Sequence, residues 1–332
     1  MTVMRTRVLD DPRFGPETDA LLAGFGSDDG EPMTYEKLRA ARAGRADPAL
    51  AGRPEPVAVR ADLLLPRGAA PPVPVRVYRD GPPRPLPLLL WLHGGGFVGG
   101  TLDDIDAACA ALARRGGCVV VSLDYRLAPE HPFPAALDDT FDALCRLAGD
   151  GGALGGDGRI AIGGQSAGGN LAAAACLLAR ERGGPRVAAQ VLCYPWLDFR
   201  AGTESWRLFE GVFLSSRTAE WYRDQYLAGR AAGPHAAPLR AADLRNLPPA
   251  LVLGAGRDPL RDDAREYARR LREAGVAVEY VEYADTMHAF LNFPGALSAA
   301  RRALDDIGRH LARTFTGAGG PARDGGTPPA LT

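Results

Sequence analysis

The chain has almost no lysine and no excess of charge of either sign. Its 332 residues include 39 basic residues, among which Lys37 is the single lysine, and 40 acidic ones, so the formal net charge is −1. A balanced charge creates no global field that would attract nucleic acid or an anionic membrane. We assign the preference for arginine over lysine to coding composition and not to a function.

Long apolar stretches are also missing. The longest, such as 86–92 and 171–179, are far shorter than the roughly 18 residues that a membrane-spanning helix needs. Residues 1–10 contain arginines but lack the apolar core of a secretory signal. The five cysteines are an odd number without a Cys-x-x-Cys pair, which is typical of free thiols in a reducing cytosol. The sequence therefore predicts a cytoplasmic protein without membrane insertion.

Short apolar runs recur along the chain and alternate with segments compatible with helices. The runs lie at 57–65, 73–78, 86–92, 118–123, 159–163, 187–194, 250–253 and 276–283. This alternation is typical of an α/β fold with a mainly parallel sheet covered by helices on both faces. This alternation is interrupted for more than fifty residues after Tyr194. An insertion of that length in an α/β fold usually forms a lid or cap over a site.

The clearest chemical motif is the segment 164–168, which reads Gly-Gln-Ser-Ala-Gly. It directly follows the apolar run 159–163 and directly precedes the helix predicted from Ala167. This Gly-x-Ser-x-Gly pattern between a strand and a helix is typical of a nucleophile turn, which presents a serine hydroxyl at a helix N-terminus. With 41 glycines in the chain a chance match is easy, but its place between strand and helix favours Ser166 as a nucleophile.

A second glycine-rich motif, His-Gly-Gly-Gly-Phe at 93–97, follows the run 86–92. Consecutive glycines after a strand can turn backbone N–H groups into an oxyanion pocket, with a further donor from the residue after the nucleophile, Ala167. A phosphate-binding loop is the alternative, but it requires a Gly-Lys-Ser/Thr sequence that is absent here. We interpret His93 as a residue that shapes the loop and not as a catalytic base.

A nucleophilic serine needs a base and an acid that orients the base. Of the five histidines, His288 alone follows a predicted strand in a loop before a helix, where catalytic residues of α/β sheets gather. The chain order serine, acid, histidine then places the acid between Ser166 and His288. Asp258, after the run 250–253, fits best, ahead of three alternatives: Asp262, Asp263 and Asp285.

Taken together, these motifs resemble the hormone-sensitive-lipase family of α/β-hydrolases, the bacterial esterases with a His-Gly-Gly-Gly motif. The matching pieces are His-Gly-Gly-Gly-Phe at 93–97, Asp-Tyr-Arg-Leu-Ala-Pro-Glu at 124–130, Pro-Phe-Pro-Ala at 132–135, Gly-Gln-Ser-Ala-Gly-Gly-Asn at 164–170, Asp-Pro-Leu at 258–260 and His-Ala-Phe at 288–290. The aromatic pattern at 221–227 is similar to the family's cap helix. The resemblance runs from about residue 57 to residue 310 and is specific as a set.

The resemblance implies an eight-stranded, mostly parallel α/β-hydrolase sheet with a helical cap. It implies an N-terminal cap segment at 1–55, a cap insertion at 196–240, and a core formed by 56–195 and 241–316. We expect the remaining residues, 317–332, to form a flexible tail because they are rich in Gly, Pro and Ala.

Carried over by position, the family implies Ser166 as nucleophile, His288 as base and Asp258 as acid. It also implies that the N–H groups of Gly95, Gly96 and Ala167 form the oxyanion hole. Two positions depart from the family pattern: Gln165 replaces the usual acidic residue, and Ala289 replaces the more usual glycine after the histidine. Gln165 removes a charge beside the nucleophile, which affects local hydrogen bonds or pH behaviour.

The predicted function is hydrolysis of carboxylic esters with short-to-medium acyl chains, or of a small acylated metabolite. The expected pocket residues are largely apolar: Phe97, Trp196, Phe213, Leu214 and Met287. Aromatic residues of the cap could instead serve only to attach it to the core.

Three other functions use the same scaffold: an N-deacetylase or amidase, a lyase or dehydratase, and a ligand-binding receptor without activity. The retained histidine disfavours the receptor. We predict no metal, since the histidines lack ligand spacing, and no cofactor, since no Gly-x-Gly-x-x-Gly follows a first strand. The expected partner is the small ester substrate and not nucleic acid, and a homodimer is compatible with the family.

Overall fold

The structure is a computed structural model that describes residues 4–25, 33–43, 47–67, 70–81 and 83–317. Its centre is a nine-stranded sheet in the order β1-β9-β8-β7-β6-β4-β5-β3-β2. The strands are β1 Met4–Leu9, β2 Val59–Arg67, β3 Ala70–Arg79, β4 Leu86–Leu92, β5 Val119–Leu123, β6 Gly156–Gln165, β7 Gln190–Cys193, β8 Ala250–Arg257 and β9 Val278–Met287. Strand β3 is antiparallel to β2 and β5, and the other neighbours are parallel. The predicted α/β architecture is confirmed.

The expected count of eight strands is wrong by one. Each of the eight apolar runs forms a strand, and β1 is the ninth, hydrogen-bonded in parallel to β9. Strand β1 lies at the sheet edge, with the side chain of Arg7 bonded to Glu279 at 3.0 Å and with Val8 60% exposed. An edge strand buries too little of its surface to require a continuous apolar run, so its two arginines hide it from pattern analysis.

Ten α-helices accompany the sheet within the described residues. They are α1 Phe14–Phe25, α2 Tyr35–Ala43, α3 Pro48–Ala51, α4 Asp106–Gly116, α5 Ala135–Asp150, α6 Ala167–Arg182, α7 Glu204–Phe209, α8 Ser216–Leu227, α9 Arg261–Glu273 and α10 Ser298–Gly317. Helices α1, α4 and α10 share one apolar core with one face of the sheet, and α5, α6 and α9 share another with the opposite face. Burial of these two cores supplies the main driving force for folding.

Described parts of the predicted N-terminal cap segment, 1–55, contact both the sheet and the insertion after Tyr194. Strand β1 extends the sheet, and α1 packs against the core, with Phe14 on Tyr283. Helix α2 instead touches α8 of the insertion, where the Tyr35 ring packs on Trp221. Of the predicted tail, only Gly317 lies within the described residues, as the end of α10, and 318–332 lie outside them.

Parallel strands place their carboxyl ends at one edge of the sheet, and in this chain β4, β6, β8 and β9 all end there. The four segments that follow these strands contain Ser166, Asp258, His288 and the glycine loop of the candidate site described below. Within the described ranges, no helix has both the length and the apolar character needed to cross a membrane.

Candidate active site

Ser166 occupies a tight turn between β6 and α6. Its backbone angles, φ 54° and ψ −118°, lie in a region that non-glycine residues rarely adopt, so the turn is strained. Its N–H donates to Cys193 O at 2.9 Å, and its carbonyl accepts from Trp196 N at 3.2 Å. A Cβ atom on Gly168 would overlap the carbonyl oxygen of Leu92, so only glycine allows α6 to start this close to β4. The close packing of α6 on β4 thus explains why the motif has glycine at position 168.

His288 and Asp258 meet Ser166 from two neighbouring strands. His288 directly follows β9, and its Nε2 lies 2.9 Å from Ser166 Oγ. Asp258 follows β8, and its Oδ2 lies 2.8 Å from His288 Nδ1. A carboxylate can only accept, so Nδ1 carries the proton and Nε2 is free to accept from the serine hydroxyl. The structure brings all three predicted residues together.

The Asp258 carboxylate is itself held in place. Its Oδ1 accepts from Leu260 N at 2.7 Å, and the side chain is fully buried. The three alternative acids lie elsewhere: Asp262 accepts from Ser205 N, Asp263 accepts from Leu197 N and Asp198 N, and Asp285 is exposed. None of these bonds orients an imidazole.

The glycine loop after β4 turns its backbone sharply, with φ of 117° at Gly95 and 61° at Gly96. Among the described residues, no acceptor is hydrogen-bonded to the N–H of either glycine. The N–H of Ala167 is in the first turn of α6, where backbone donors lack intrahelical partners. The three predicted donors are thus free to bind an oxygen atom on a substrate.

Side chains below and above this loop hold its shape. His93 donates from Nδ1 to Gly94 O at 2.7 Å and stacks on Tyr125 at 4.2 Å. Burial lowers the pKa of His93, so its ring is neutral at pH 7. From the cap, Tyr226 of α8 stacks on Phe97 at 3.7 Å, and the ring of Tyr222 lies where a Cβ atom on Gly96 would be.

A cavity of about 180 Å³ opens above Ser166. Three expected residues line it, namely Trp196, Phe213 and Leu214. Phe97 and Met287, also expected there, lie outside the lining and are fully buried. Met287 is the last residue of β9, and its side chain packs in the apolar core that the sheet shares with α1, α4 and α10. Phe97 has φ 66°, and its ring packs beneath the loop on Tyr226.

Sequence analysis did not expect several of the residues that line the cavity to be there: Gln165, Tyr194, Thr218, Ala289 and Asn292. Two had a signal, because Gln165 and Ala289 are the departures from the family motif. Tyr194 ends the run 187–194, and its place at a strand end could have identified it. Asn292 lies in a short turn of 3₁₀ helix after His288, with no pattern to single it out.

The arrangement can perform nucleophilic acyl transfer. A neutral imidazole accepts from a serine hydroxyl, and free N–H donors lie beside it. No cluster of three or more His, Cys, Asp or Glu residues that could hold a metal ion occurs in the described part of the chain.

Known proteins that are similar to this chain include ester hydrolases. The family model described as alpha/beta hydrolase fold matches residues 89–292, more than half of the chain. The chain is 42% identical over 268 residues to the carboxylic ester hydrolase LipN of Mycobacterium tuberculosis, covering 76% of this chain and 70% of LipN. It is 38% identical to an ethyl acetate hydrolase of Pseudomonas putida, covering 81% and 85%.

A solved structure shows the same fold. The esterase of the archaeon Pyrobaculum calidifontis superposes with a TM-score of 0.74 at 42% identity, over 78% of this chain and 86% of that protein. Identity at this level over most of both chains establishes common descent as well as common fold. The chain belongs to the hormone-sensitive-lipase family of α/β-hydrolases, as its motifs predicted.

Proposed function

We propose that this protein is a serine hydrolase that cleaves carboxylic esters with short-to-medium acyl chains, or a small acylated metabolite. The observation that carries the proposal is the unbroken series of hydrogen bonds from Ser166 Oγ through His288 to Asp258, at the floor of a cavity beside free backbone donors. The esterase names of its relatives support the same activity.

In the first step, Ser166 Oγ attacks the ester carbonyl carbon while His288 Nε2 takes the hydroxyl proton. The carbonyl oxygen becomes an oxyanion, which the N–H groups of Gly95, Gly96 and Ala167 bind. The dipole of α6 adds to this stabilisation because negative charge is favoured at a helix N-terminus. His288 then gives its proton to the leaving alcohol, and an acyl-enzyme forms.

In the second step, His288 takes a proton from water, which attacks the acyl carbonyl. His288 then returns this proton to Ser166 Oγ as the intermediate collapses and the acid leaves. Asp258 holds the imidazole in the required tautomer and stabilises its positive charge in both steps. Its bond from Leu260 N keeps the second carboxylate oxygen occupied, so one oxygen faces His288.

The critical experiment compares hydrolysis of p-nitrophenyl butyrate by the wild type and by Ser166→Ala. We expect kcat to fall by about a thousandfold or more, because nucleophile and base act as a unit. Ser122→Ala is the matched control, since it removes a buried serine hydroxyl from β5, away from the site. Equal activity of Ser166→Ala and wild type would refute the assignment.

The acyl preference is a second test. The cavity of about 180 Å³ is smaller than the roughly 300–1,000 Å³ of sites for drug-sized ligands, and the rings of Trp196 and Phe213 bound it. With acetyl, butyryl, octanoyl and palmitoyl esters of p-nitrophenol, kcat/KM should be at least about tenfold lower for palmitoyl than for butyryl. A palmitoyl optimum would contradict a small acyl site.

No observation on the described residues favours an amidase, a lyase or a receptor over an esterase. The cytoplasmic location, the homodimer and the lack of a nucleic-acid partner stay predictions.

A further inference from the structure

A directional series of hydrogen bonds runs along the wall of the cavity beside His288. The Tyr194 hydroxyl donates to Gln165 Oε1 at 3.0 Å, and Gln165 Nε2 donates to Asn292 Oδ1. All three side chains line the cavity, and the Tyr194 ring packs edge-on against His288 at 5.2 Å. The series therefore starts beside the imidazole and ends at Asn292.

Each bond runs in the same direction along the series, from Tyr194 to Gln165 and from Gln165 to Asn292. Burial raises the pKa of Tyr194 well above its usual range, so the phenol keeps its proton and can donate it. Gln165 is 2% exposed, and with its oxygen turned to Tyr194 it presents its NH₂ group to Asn292. That bond occupies the carbonyl of Asn292.

The NH₂ group of Asn292 is the free end of the series. No acceptor among the described residues is bonded to Asn292 Nδ2, and the side chain lines the cavity. A neutral donor at this place adds nothing to nucleophilic attack by Ser166. It is available to a substrate.

We propose that Asn292 determines specificity by donating a hydrogen bond to an acceptor oxygen in the alcohol part of the ester, with Gln165 as the residue that positions it. The inference rests on the proposed esterase function. His288 protonates the leaving oxygen, so the alcohol part lies along the loop that contains His288 and Asn292. The substrate class is esters of alcohols that carry a carbonyl or similar acceptor close to the ester oxygen.

The direction of this hydrogen-bond series depends on the uncharged amide of Gln165. A carboxylate at position 165 would accept from both Tyr194 and Asn292, because it has no N–H to donate. Asn292 would then turn its NH₂ group to position 165 and its carbonyl to the cavity. Gln165→Glu should therefore convert the cavity donor into an acceptor without removing any side chain from the wall.

The test uses two butyrate esters of nearly equal shape, 2-oxopropyl butyrate and isobutyl butyrate, which differ by a carbonyl oxygen in place of a methyl group. The measured quantity is the ratio of their kcat/KM values. Comparing this ratio between variants cancels the different leaving-group chemistry of the two alcohols. We expect the ratio to fall about tenfold in Asn292→Leu, and at least as far in Asn292→Asp and Gln165→Glu.

Thr218→Val is the matched control, since Thr218 lines the same cavity from α8 and is not part of the series. Its substrate ratio should equal that of the wild type. Asn292→Asp preserves the shape of the side chain, so the proposal stays testable if Asn292→Leu does not fold. A merely structural role of Asn292 would lower both kcat/KM values equally and leave the ratio unchanged.

Two results would overturn the inference. One is a wild-type ratio, within about twofold, in both Asn292→Asp and Gln165→Glu. The other is a tenfold fall seen with an acyl-side pair, methyl 3-oxobutanoate and methyl 3-methylbutanoate, but not with the butyrates. Failure of the wild type to cleave isobutyl butyrate, or cleavage that survives Ser166→Ala, would instead refute the proposed function itself.

Discussion

The serine turn after β6 and the glycine loop after β4 are both glycine-rich bends after a buried strand, but different parts of the molecule enclose them. The serine turn is held by backbone: Ser166 bonds to Cys193 and Trp196, and Gly168 lies against the carbonyl of Leu92. The glycine loop is held by its own backbone bonds to Gly95 O and also by side chains, of which Tyr222 and Tyr226 come from the cap.

Helix α2 of the N-terminal segment also helps to hold the glycine loop. Arg42 of α2 donates from Nε to Val98 O and from Nη2 to Ala128 O, each at 2.6 Å, and it pairs with Glu130 at 2.9 Å. Ser166, the proposed nucleophile, is thus positioned by the sheet, whereas the N–H groups proposed to stabilise the transition state are positioned partly by the cap. We therefore expect that a change in the cap can compensate a substitution in the glycine loop, whereas it cannot compensate one in the serine turn.

The largest effect is expected from Gly168→Ala. The new methyl group would overlap the carbonyl oxygens of Leu92 and His93, and backbone of a central strand cannot move aside. We expect the unfolding free energy to fall by about 3 kcal/mol and kcat/KM by at least about a hundredfold, since a shift of the nucleophile by an ångström is sufficient. Urea unfolding and p-nitrophenyl butyrate hydrolysis measure these two quantities.

Gly149→Ala is the control, because a Cβ atom there meets no other atom within 4 Å. This change at the exposed end of α5 should leave activity unaltered and keep or raise stability. Wild-type activity in Gly168→Ala would show that the turn is not enclosed by backbone as described.

A smaller effect on activity, which a second substitution should reduce, is expected from Gly96→Ala. Its methyl group would overlap the ring of Tyr222, and alanine at φ 61° adds about 1–2 kcal/mol of backbone strain. We expect kcat to fall about tenfold with the fold intact. Because the obstacle is a cap side chain, the same change made in a Tyr222→Ala background should cost only about threefold, which a double-mutant cycle measures.

Gly99→Ala is the control in this loop, since its nearest atom would be Gly95 O at an ordinary 3.6 Å. Equal losses from Gly96→Ala in both backgrounds would mean that Tyr222 does not enclose the loop. The contrast between cap and core would then not hold.

Much of the fold was predictable because buried parallel strands are continuous apolar runs, which is how eight strands were found. Strand β1 was missed because Arg5 and Arg7 interrupt it and its stability comes from pairing with β9. Pattern analysis describes one segment at a time, whereas an edge strand is defined by its partner.

The same distinction applies to the site. Ser166, His288 and Asp258 were found because each follows a strand within a recognisable motif and in a fixed chain order. Asn292 was not found, since its proposed role depends on its bond from Gln165, which in turn accepts from Tyr194, and these two residues lie at two other strand ends. A position next to a motif can also lead to a wrong prediction. Phe97 was expected to line the pocket, but it is fully buried and lies outside the lining.

The smallest predicted effect concerns the place where the chain leaves the core for the cap insertion. Asp263 of α9 is 3% exposed, and its Oδ2 accepts from Leu197 N and Asp198 N, both at 2.9 Å. Burial raises the pKa of Asp263 to about 8, although these two bonds act to lower it, and the nearby charges of Asp198 and Asp258 raise it further.

A carboxyl group whose pKa is higher in the folded state stabilises the fold fully below its unfolded pKa of about 4, and loses that contribution as the pH rises towards 8. The unfolding free energy of the wild type should therefore fall between pH 6 and pH 7 by about 1 kcal/mol more than that of Asp263→Asn, which keeps the acceptor and cannot ionise. Urea unfolding at the two pH values tests this. Parallel pH dependence of the two proteins would mean that Asp263 is ionised in the fold, and that the start of the cap is anchored by charge rather than by a neutral hydrogen-bond acceptor.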